Sequence, residues 1–545
     1  MEYKNLKKRQ LVNETDSESC DENESYINTA YRRKRRLNVP SISESEETDD
    51  VNVQSTNPSN ITWTSKKFKP IIHDFTQQQS GIQTNISSSW EFLQYFQLFV
   101  SEELVEFIVE KTNNYWRQIN PNDLTAGTDL DELYCFFAVS LLMTRNTKLS
   151  LDEYWSKNRL LRSDIFGEIT SRDRYKLLLR MLHFADDHES NSDRLWRIRE
   201  VINRLRRSFS DAFYPYQNLF IDESLLLYKG RLSFKQFIPS KRNRFGIKSF
   251  VLCDCKTGYV QDFIFYSGSG TISPQYADIG ISGNIVMSLM EPYLHKGHTL
   301  YVDNWYTSPA LFNCLHMNAT NACGTVRKRR HGMSRIEKKL KEGEVIFLSS
   351  DNLLAMKWKD KKDVYMLSTM HTEEFVSMPK HSRKEEMVQK PSCVCDYNKF
   401  MGIVDKTDMV ISTIGSMCKS MKWFKKYFFH MIDLCLWNAC CLYKLKTGAP
   451  ISMAQFYLKL IEQILTKYHK TRTRHSTNCG SNNELRLIGK HFPTPYTSSG
   501  KNKLRRCVVC SKNNKRRESR YQCDECDVGL CVYPCFKIYH TQTYY

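Results

Sequence analysis

Two groups of side chains in this 545-residue chain have types and spacings suited to metal chemistry. In the first, aspartates interrupt apolar surroundings. Asp222 sits in Leu219-Phe-Ile-Asp-Glu-Ser224, Asp303 ends the run Thr299-Leu-Tyr-Val-Asp-Asn-Trp305, and Asp405 lies in Lys399-Phe-Met-Gly-Ile-Val-Asp-Lys-Thr-Asp408. A carboxylate in or beside a buried strand is costly unless a cation or hydrogen bonds compensate it. For each aspartate alone, a buried ion pair explains the residue as readily as a metal does. Together they form a set of hard oxygen donors, which suits Mg2+ or Mn2+ rather than zinc. Two such ions activate a water or 3′-hydroxyl nucleophile and stabilise the leaving oxygen in phosphoryl transfer. Asp405 and Asp408 are three apart on a predicted helix and share a face, so Asp408 can reach the same ions or orient a ligating water.

The second group is Cys507-Val-Val-Cys510, Cys523-Asp-Glu-Cys526, Cys531, Cys535 and His540. Paired thiols on short loops wrap tetrahedral zinc. The two CxxC pairs can close one four-cysteine site, leaving Cys531, Cys535 and His540 as core thiols or as part of a second. A module this small holds no core without metal, so zinc binding and folding are expected to be one event. The other thirteen of the 19 cysteines are dispersed and read as buried or inert.

The elements that must position these residues follow from periodicity and composition. Residues 1–85 are polar and aperiodic and read as a disordered tail. Within it, Tyr31-Arg-Arg-Lys-Arg-Arg36 reads as a nuclear-import run or a basic arm. Residues 86–215 carry apolar residues at helical spacing, from Phe92, Tyr95 and Phe96 onward, and form a helical domain. At 216–326 the pattern changes to short strands, then helix, strand, helix and strand. Residues 327–395 read as a β-rich insertion, 396–470 as late helices, 471–503 as a linker and 504–545 as the zinc module. The expected class is α/β. An RNase H-like core runs strand, strand, strand, helix, strand, helix, strand, helix, with its acids on the first strand, the fourth strand and the late helix, where Asp222, Asp303 and Asp405 fall.

Composition narrows the partner. The formal charge is +19 with an isoelectric point near 9.1, which points to a polyanion. Candidate phosphate contacts are Lys229, Arg231, Lys235, Lys241, Arg242, Arg244 and Lys248, then Arg327-Lys-Arg-Arg330, and in the zinc module Arg505, Arg506, Lys512, Lys515, Arg516, Arg517 and Arg520. No stretch reaches the roughly 18 apolar residues a membrane span needs, and the start lacks a signal-peptide core. A soluble intracellular protein is expected. Trp305 suits either base stacking or core filling.

Leu219-Phe-Ile-Asp-Glu-Ser, Lys229-Gly-Arg-Leu-Ser-Phe-Lys-Gln-Phe-Ile-Pro239, Val302-Asp-Asn-Trp-Tyr-Thr-Ser308 and Tyr397-Asn-Lys-Phe-Met-Gly402 resemble the piggyBac transposase family. The likeness spans about residues 90–540 and includes Tyr154-Trp155 and Leu182-His-Phe184. It implies a catalytic triad of Asp222, Asp303 and Asp405 with Asp408 beside it. It also implies cutting of transposon ends through a hairpin intermediate and joining at TTAA. The implied partners are double-stranded DNA, as terminal inverted repeats and as target, and a second copy of the chain, with action in the nucleus. For the cysteines the resemblance implies a cross-brace with two zincs. Cys507, Cys510, Cys531 and Cys535 would hold one, and Cys523, Cys526 and His540 the other, with His491 or a water completing it. The alternative is a domesticated DNA-binding or chromatin protein that keeps the fold without strand transfer. A zinc-finger protein-interaction factor is a more distant reading.

Overall fold

The computed structural model describes residues 61–76, 80–121, 127–186, 193–238, 244–268, 270–272, 275–379, 387–402, 422–470, 491–496 and 504–542. The basic run at Tyr31–Arg36, Asp405 and Asp408 therefore lie outside the described residues. The chain divides into two compact units, Met1–His469 and Lys470–Tyr545.

In the larger unit, six helices precede the sheet: α1 (Phe92–Gln97), α2 (Glu102–Ile119), α3 (Leu130–Arg145), the short helix Asp164–Ile169, α4 (Arg172–Met181) and α5 (Arg199–Ala212). Short polar side chains start three of them. Ser101 accepts from the Leu104 amide at 3.2 Å, Asp129 from Glu132 at 2.8 Å and Ser171 from Arg174 at 3.3 Å. Each satisfies an amide that the first helical turn leaves without a partner. Three further helices follow the sheet: α8 (Ser392–Phe400), α9 (Trp423–Thr447) and α10 (Met453–Tyr468). They close onto the early ones, with Tyr134 stacked on Tyr468 at 4.2 Å and Gln97 donating to the Tyr468 hydroxyl at 2.6 Å. Early and late helices thus share one core.

The sheet begins with β1 (Asn218–Leu227), β2 (Phe245–Asp254) and β3 (Val260–Phe265), then β4 (Thr299–Val302) and β5 (Asn321–Thr325). Their spatial order is β3-β2-β1-β4-β5, with β1, β4 and β5 parallel and β2 antiparallel to its neighbours. That is the RNase H arrangement. Alternation along β1 feeds two apolar layers. Leu219 and Ile221 pack with Leu300, Val302 and helices α6 (Gly280–Met290) and α7 (Pro309–Met317), whereas Phe220 and Tyr301 pack in the layer that holds α9. Helix α9 is buried nearly all round, and its Asn438 side chain brackets the Val260 backbone with two 2.9 Å hydrogen bonds.

Two expectations are corrected. Residues 327–395 are not a separate inserted unit. Strands β6 (Val345–Ser349), β7 (Leu354–Lys359) and β8 (Asp363–Ser368) extend the central sheet, with β8 antiparallel to β5, and the short strand Gln236–Phe237 on β2 brings it to nine strands. Only β9 (Phe375–Pro379) and β10 (Met387–Pro391) form their own hairpin. Nor is the whole of 1–85 tail-like. Residues 61–76 form an extended strap, held by Trp63 Nε1 on the Gly332 carbonyl (3.0 Å), a Thr64–Ser349 bridge, and Asn321 gripping both backbone groups of His73. The strap passes so close to Gly297 (φ +73°) that a Cβ there would sit 1.9 Å from the Asp74 carbonyl oxygen. A segment that borrows another element's core shows no period of its own.

The smaller unit buries nine residues in its own core, among them Cys507, Cys510, Cys523, Cys535, Phe536 and Tyr539. Strand Pro493–Pro495 pairs with Tyr521–Cys523, so part of the expected linker belongs to the module. No described helix is long and apolar enough to cross a membrane.

Candidate functional site

Parallel pairing of β1 with β4 sets Ile221 beside Val302, and Asp222 and Asp303 are the next residue on each strand. The register therefore brings the two aspartates side by side. Asp222, Glu223 and Asp303 offer carboxylate oxygens that all lie within 4.8 Å of one another. Glu223 escaped the sequence reading because alternation aims it away from Asp222, toward the Ile221 face. Asp303, however, lies one residue past the last paired position of β4, where the chain turns.

That turn is built from the aspartate itself. Asp303 Oδ1 accepts from the Trp305 amide at 2.8 Å, and its carbonyl accepts from the Thr307 amide at 3.1 Å and hydroxyl at 2.8 Å. Ser308 then caps α7. Burial, joined by the charge of Glu223, pushes the Asp303 carboxyl up to about 6, against the opposing pull of the Trp305 and Tyr306 amides and of Lys248. Three acids packed this way repel one another, and a hard cation is a counter-charge that fits the donors.

The surroundings are aromatic. Tyr306 is fully buried, and burial followed by the charges of Glu223, Asp222 and Asp303 holds its hydroxyl firmly protonated. Trp305 stacks on Phe250 at 5.5 Å and 12° and meets Tyr306 edge-on at 4.7 Å, so its ring is engaged in packing. Lys248 Nζ stands 4.4 Å over Trp305 and 4.7 Å over Phe250. Arg330 is committed to this loop, donating to the carbonyls of Asn304 (2.6 Å) and Trp305 (2.7 Å). Lys229, Arg231 and Arg244 are exposed.

Helix α8 approaches the same acids. Its Tyr397 is buried, and burial raises the pKa of its hydroxyl, with Asp303 and Asp222 adding to the rise. Phe400 packs on Tyr301 at 4.8 Å. The helix is pinned to the end of β8, where His371 bridges Ser368 Oγ (2.7 Å) and Asp396 Oδ2 (3.1 Å). Asp405 lies five residues beyond its last residue.

In the smaller unit two four-residue sets come together: Cys507, Cys510, Cys531 and Cys535, and His491, Cys523, Cys526 and His540. The two CxxC pairs thus belong to different sets, which rules out a single four-cysteine site built from both. Tetrahedral zinc with Zn–S near 2.3 Å needs sulfurs about 3.8 Å apart. Cys510 Sγ lies 4.0 Å from Cys531 Sγ and 3.5 Å from Cys535 Sγ. In the other set His491 Nδ1 is 3.4 Å from Cys523 Sγ and 3.6 Å from Cys526 Sγ, and His540 Nε2 is 3.6 Å from Cys526 Sγ. His540 Nδ1 is occupied by the Phe536 carbonyl at 2.8 Å, which turns Nε2 to the cluster. Against the upward push of burial, the amides of Cys510 and Cys531 hold the Cys507 thiol below its ordinary value. Both sets fit zinc. The loop bearing Lys512, Lys515, Arg516, Arg517 and Arg520 is exposed.

Comparison with known proteins agrees with both units. A family model described as Transposase IS4 matches residues 93–440, and one described as a DDE_Tnp_1-like zinc finger matches 489–541. Human PiggyBac transposable element-derived protein 3 is 26% identical over 490 residues, covering 87% of this chain and 80% of that protein. Human PiggyBac transposable element-derived protein 2 is 26% identical over 405 residues, 70% of this chain and 66% of that relative, just under two thirds of its length. Among solved structures, a piggyBac transposase in a synaptic complex with hairpin DNA matches with a TM-score of 0.68 at 23% identity, over 84% of this chain and 100% of that one.

Proposed function

This chain belongs to the piggyBac-type transposases, and we propose that it cuts and joins DNA strands at TTAA sites by metal-dependent phosphoryl transfer. The observation that carries this reading is the meeting of Asp222 and Asp303 carboxylates within 4.8 Å, just past the point where the parallel pairing of β1 with β4 ends. Asp222 and Asp303 would hold Mg2+ or Mn2+, with Asp405 and Asp408 completing the donor set. When bound, such ions supply a polarised nucleophile and a counter-charge for the leaving oxygen. The chain's own contribution is placement. The β1–β4 register fixes the spacing of the acids, the amides after Asp303 hold its carboxylate, and the Trp305–Phe250 stack holds Lys248 beside them. Tyr397 and Phe400 dock the helix that leads to Asp405.

The substrate in this reading is double-stranded DNA, as terminal inverted repeats and as target. Exposed Lys229, Arg231 and Arg244 and the module's basic loop supply phosphate contacts, which makes binding fall steeply with salt. The finger, with two zincs, would read the ends. Action as a homodimer in the nucleus, with Arg32–Arg36 directing import, completes the proposal. The related structure is of a transposase assembled with hairpin DNA, which supports a nucleic-acid partner.

A second reading, a host protein that keeps DNA binding and has lost strand transfer, is favoured by the human relatives, named as derived from transposable elements. The close-packed acids favour the enzyme, because a binding protein has no chemical use for them. An excision assay on candidate ends flanked by TTAA separates the two. Donor loss that needs Mg2+ or Mn2+ supports the enzyme. Salt-sensitive binding with an intact donor supports the binding protein.

A further inference from the structure

We propose that Glu223 is a ligand of the same metal site, alongside Asp222 and Asp303, an assignment that rests on the phosphoryl-transfer reading above. Its carboxylate lies within 4.8 Å of both aspartates, although it leaves β1 on the opposite face from Asp222. Like charges this close repel strongly in a partly desolvated site. A glutamate has the reach and rotamer freedom to escape that repulsion into solvent. Glu223 instead stays half-buried inside the cluster, pinned through its backbone pairing with Phe250.

A second observation points the same way. The Tyr306 hydroxyl is fully buried and makes no geometrically satisfactory hydrogen bond, and the carboxylates of Glu223, Asp222 and Asp303 lie close enough for their charges to act on it. A buried protonated phenol beside a carboxylate can donate to one of its oxygens and leave the other for a cation. Hard divalent ions take six or more oxygens, and a third strand-borne carboxylate raises the number this chain supplies. The bland alternative is that Glu223 serves Tyr306 alone, as an acceptor inside the fold.

The two are separated by Mn2+ binding to the full-length, zinc-loaded chain, read from the loss of the free-ion signal in electron paramagnetic resonance, with Asp303→Asn marking the site. Glu223→Gln is expected to weaken the Asp303-dependent Mn2+ affinity at least tenfold, and Tyr306→Phe to change it by less than about threefold. Glu223→Asp keeps the charge on a shorter arm and should fall between, which preserves the test if the glutamine variant fails to fold. Parental affinity in Glu223→Gln overturns the assignment while leaving the aspartate site standing. So does an equal loss in Tyr306→Phe and Glu223→Gln, which would make the glutamate a support for the tyrosine. If the parental chain shows no Asp303-dependent Mn2+ site, the phosphoryl-transfer reading falls, and this assignment falls with it.

Discussion

The larger and smaller units solve opposite problems with metal-binding side chains. The larger unit buries two broad apolar layers on either side of a nine-stranded sheet. Those layers stabilise the fold, and the acids form a small polar island within it. The smaller unit has nine core residues, four of them cysteines that belong to its donor sets. Deleting a donor there deletes core. In the proposed reading, metal at the first unit's acids would serve chemistry at the expense of local electrostatic comfort, whereas zinc in the second would serve folding.

The largest expected effect breaks that contrast most sharply. Cys510→Ser, or chelation at neutral pH, should abolish the structure of residues 504–542, because zinc supplies about 10–16 kcal/mol of folding free energy to such modules. Amide exchange mapped along the chain checks this. Protection should vanish in the module and persist in β1, β4 and α9, and a module that stays protected without zinc would end the distinction. The converse is a core truncation. Phe220→Ala removes a fully buried ring from the layer against α9 and should cost the larger unit about 3–5 kcal/mol. Denaturant unfolding should show it, with zinc content unaltered.

A smaller effect is expected from acid. Burial lowers His183, His298 and His430 to about 4 each. Their folded values lie below the unfolded one, so the stability tied to their neutral forms is full above about pH 6.5 and is lost as pH falls toward 4. In chelated protein, where only the larger unit remains folded, its thermal midpoint should drop across that window. A flat profile from pH 7 to 4 would show these rings to be solvated. The smallest is Ser101→Ala, which removes the α2 cap and should cost about 1 kcal/mol, again with no change in zinc content.

The contrast also explains what was legible beforehand. Asp222 and Asp303 stood out because apolar strand residues flank them, and the order of elements put them on the first strand and at the end of the fourth; in the structure they lie on β1 and one residue past β4. The CxxC pairs announced a metal module, yet spacing alone left their partition open, since either pairing closes a small loop. His491 was offered only as an alternative to a water, because fifteen residues separate it from Cys507 and only the pairing of Pro493–Pro495 with Tyr521–Cys523 brings it back. Glu223 was hidden by strand alternation. The joining of β6–β8 to the main sheet was hidden because edge pairing leaves no signature in either partner. Residues 61–76 read as tail because the strap is anchored by one backbone bridge and isolated side chains on a surface it does not own.

The central claim is that the acids are needed for reaction and not for folding or for holding DNA. The most direct measurement compares cleavage and DNA binding by Asp303→Asn and the parental chain on the same TTAA-flanked duplex, with Mn2+ present. The account predicts cleavage reduced by roughly a thousandfold or more, since the amide keeps the shape and removes a charged donor, with binding within about twofold and an unchanged unfolding midpoint. Parental-rate cleavage by Asp303→Asn would contradict it.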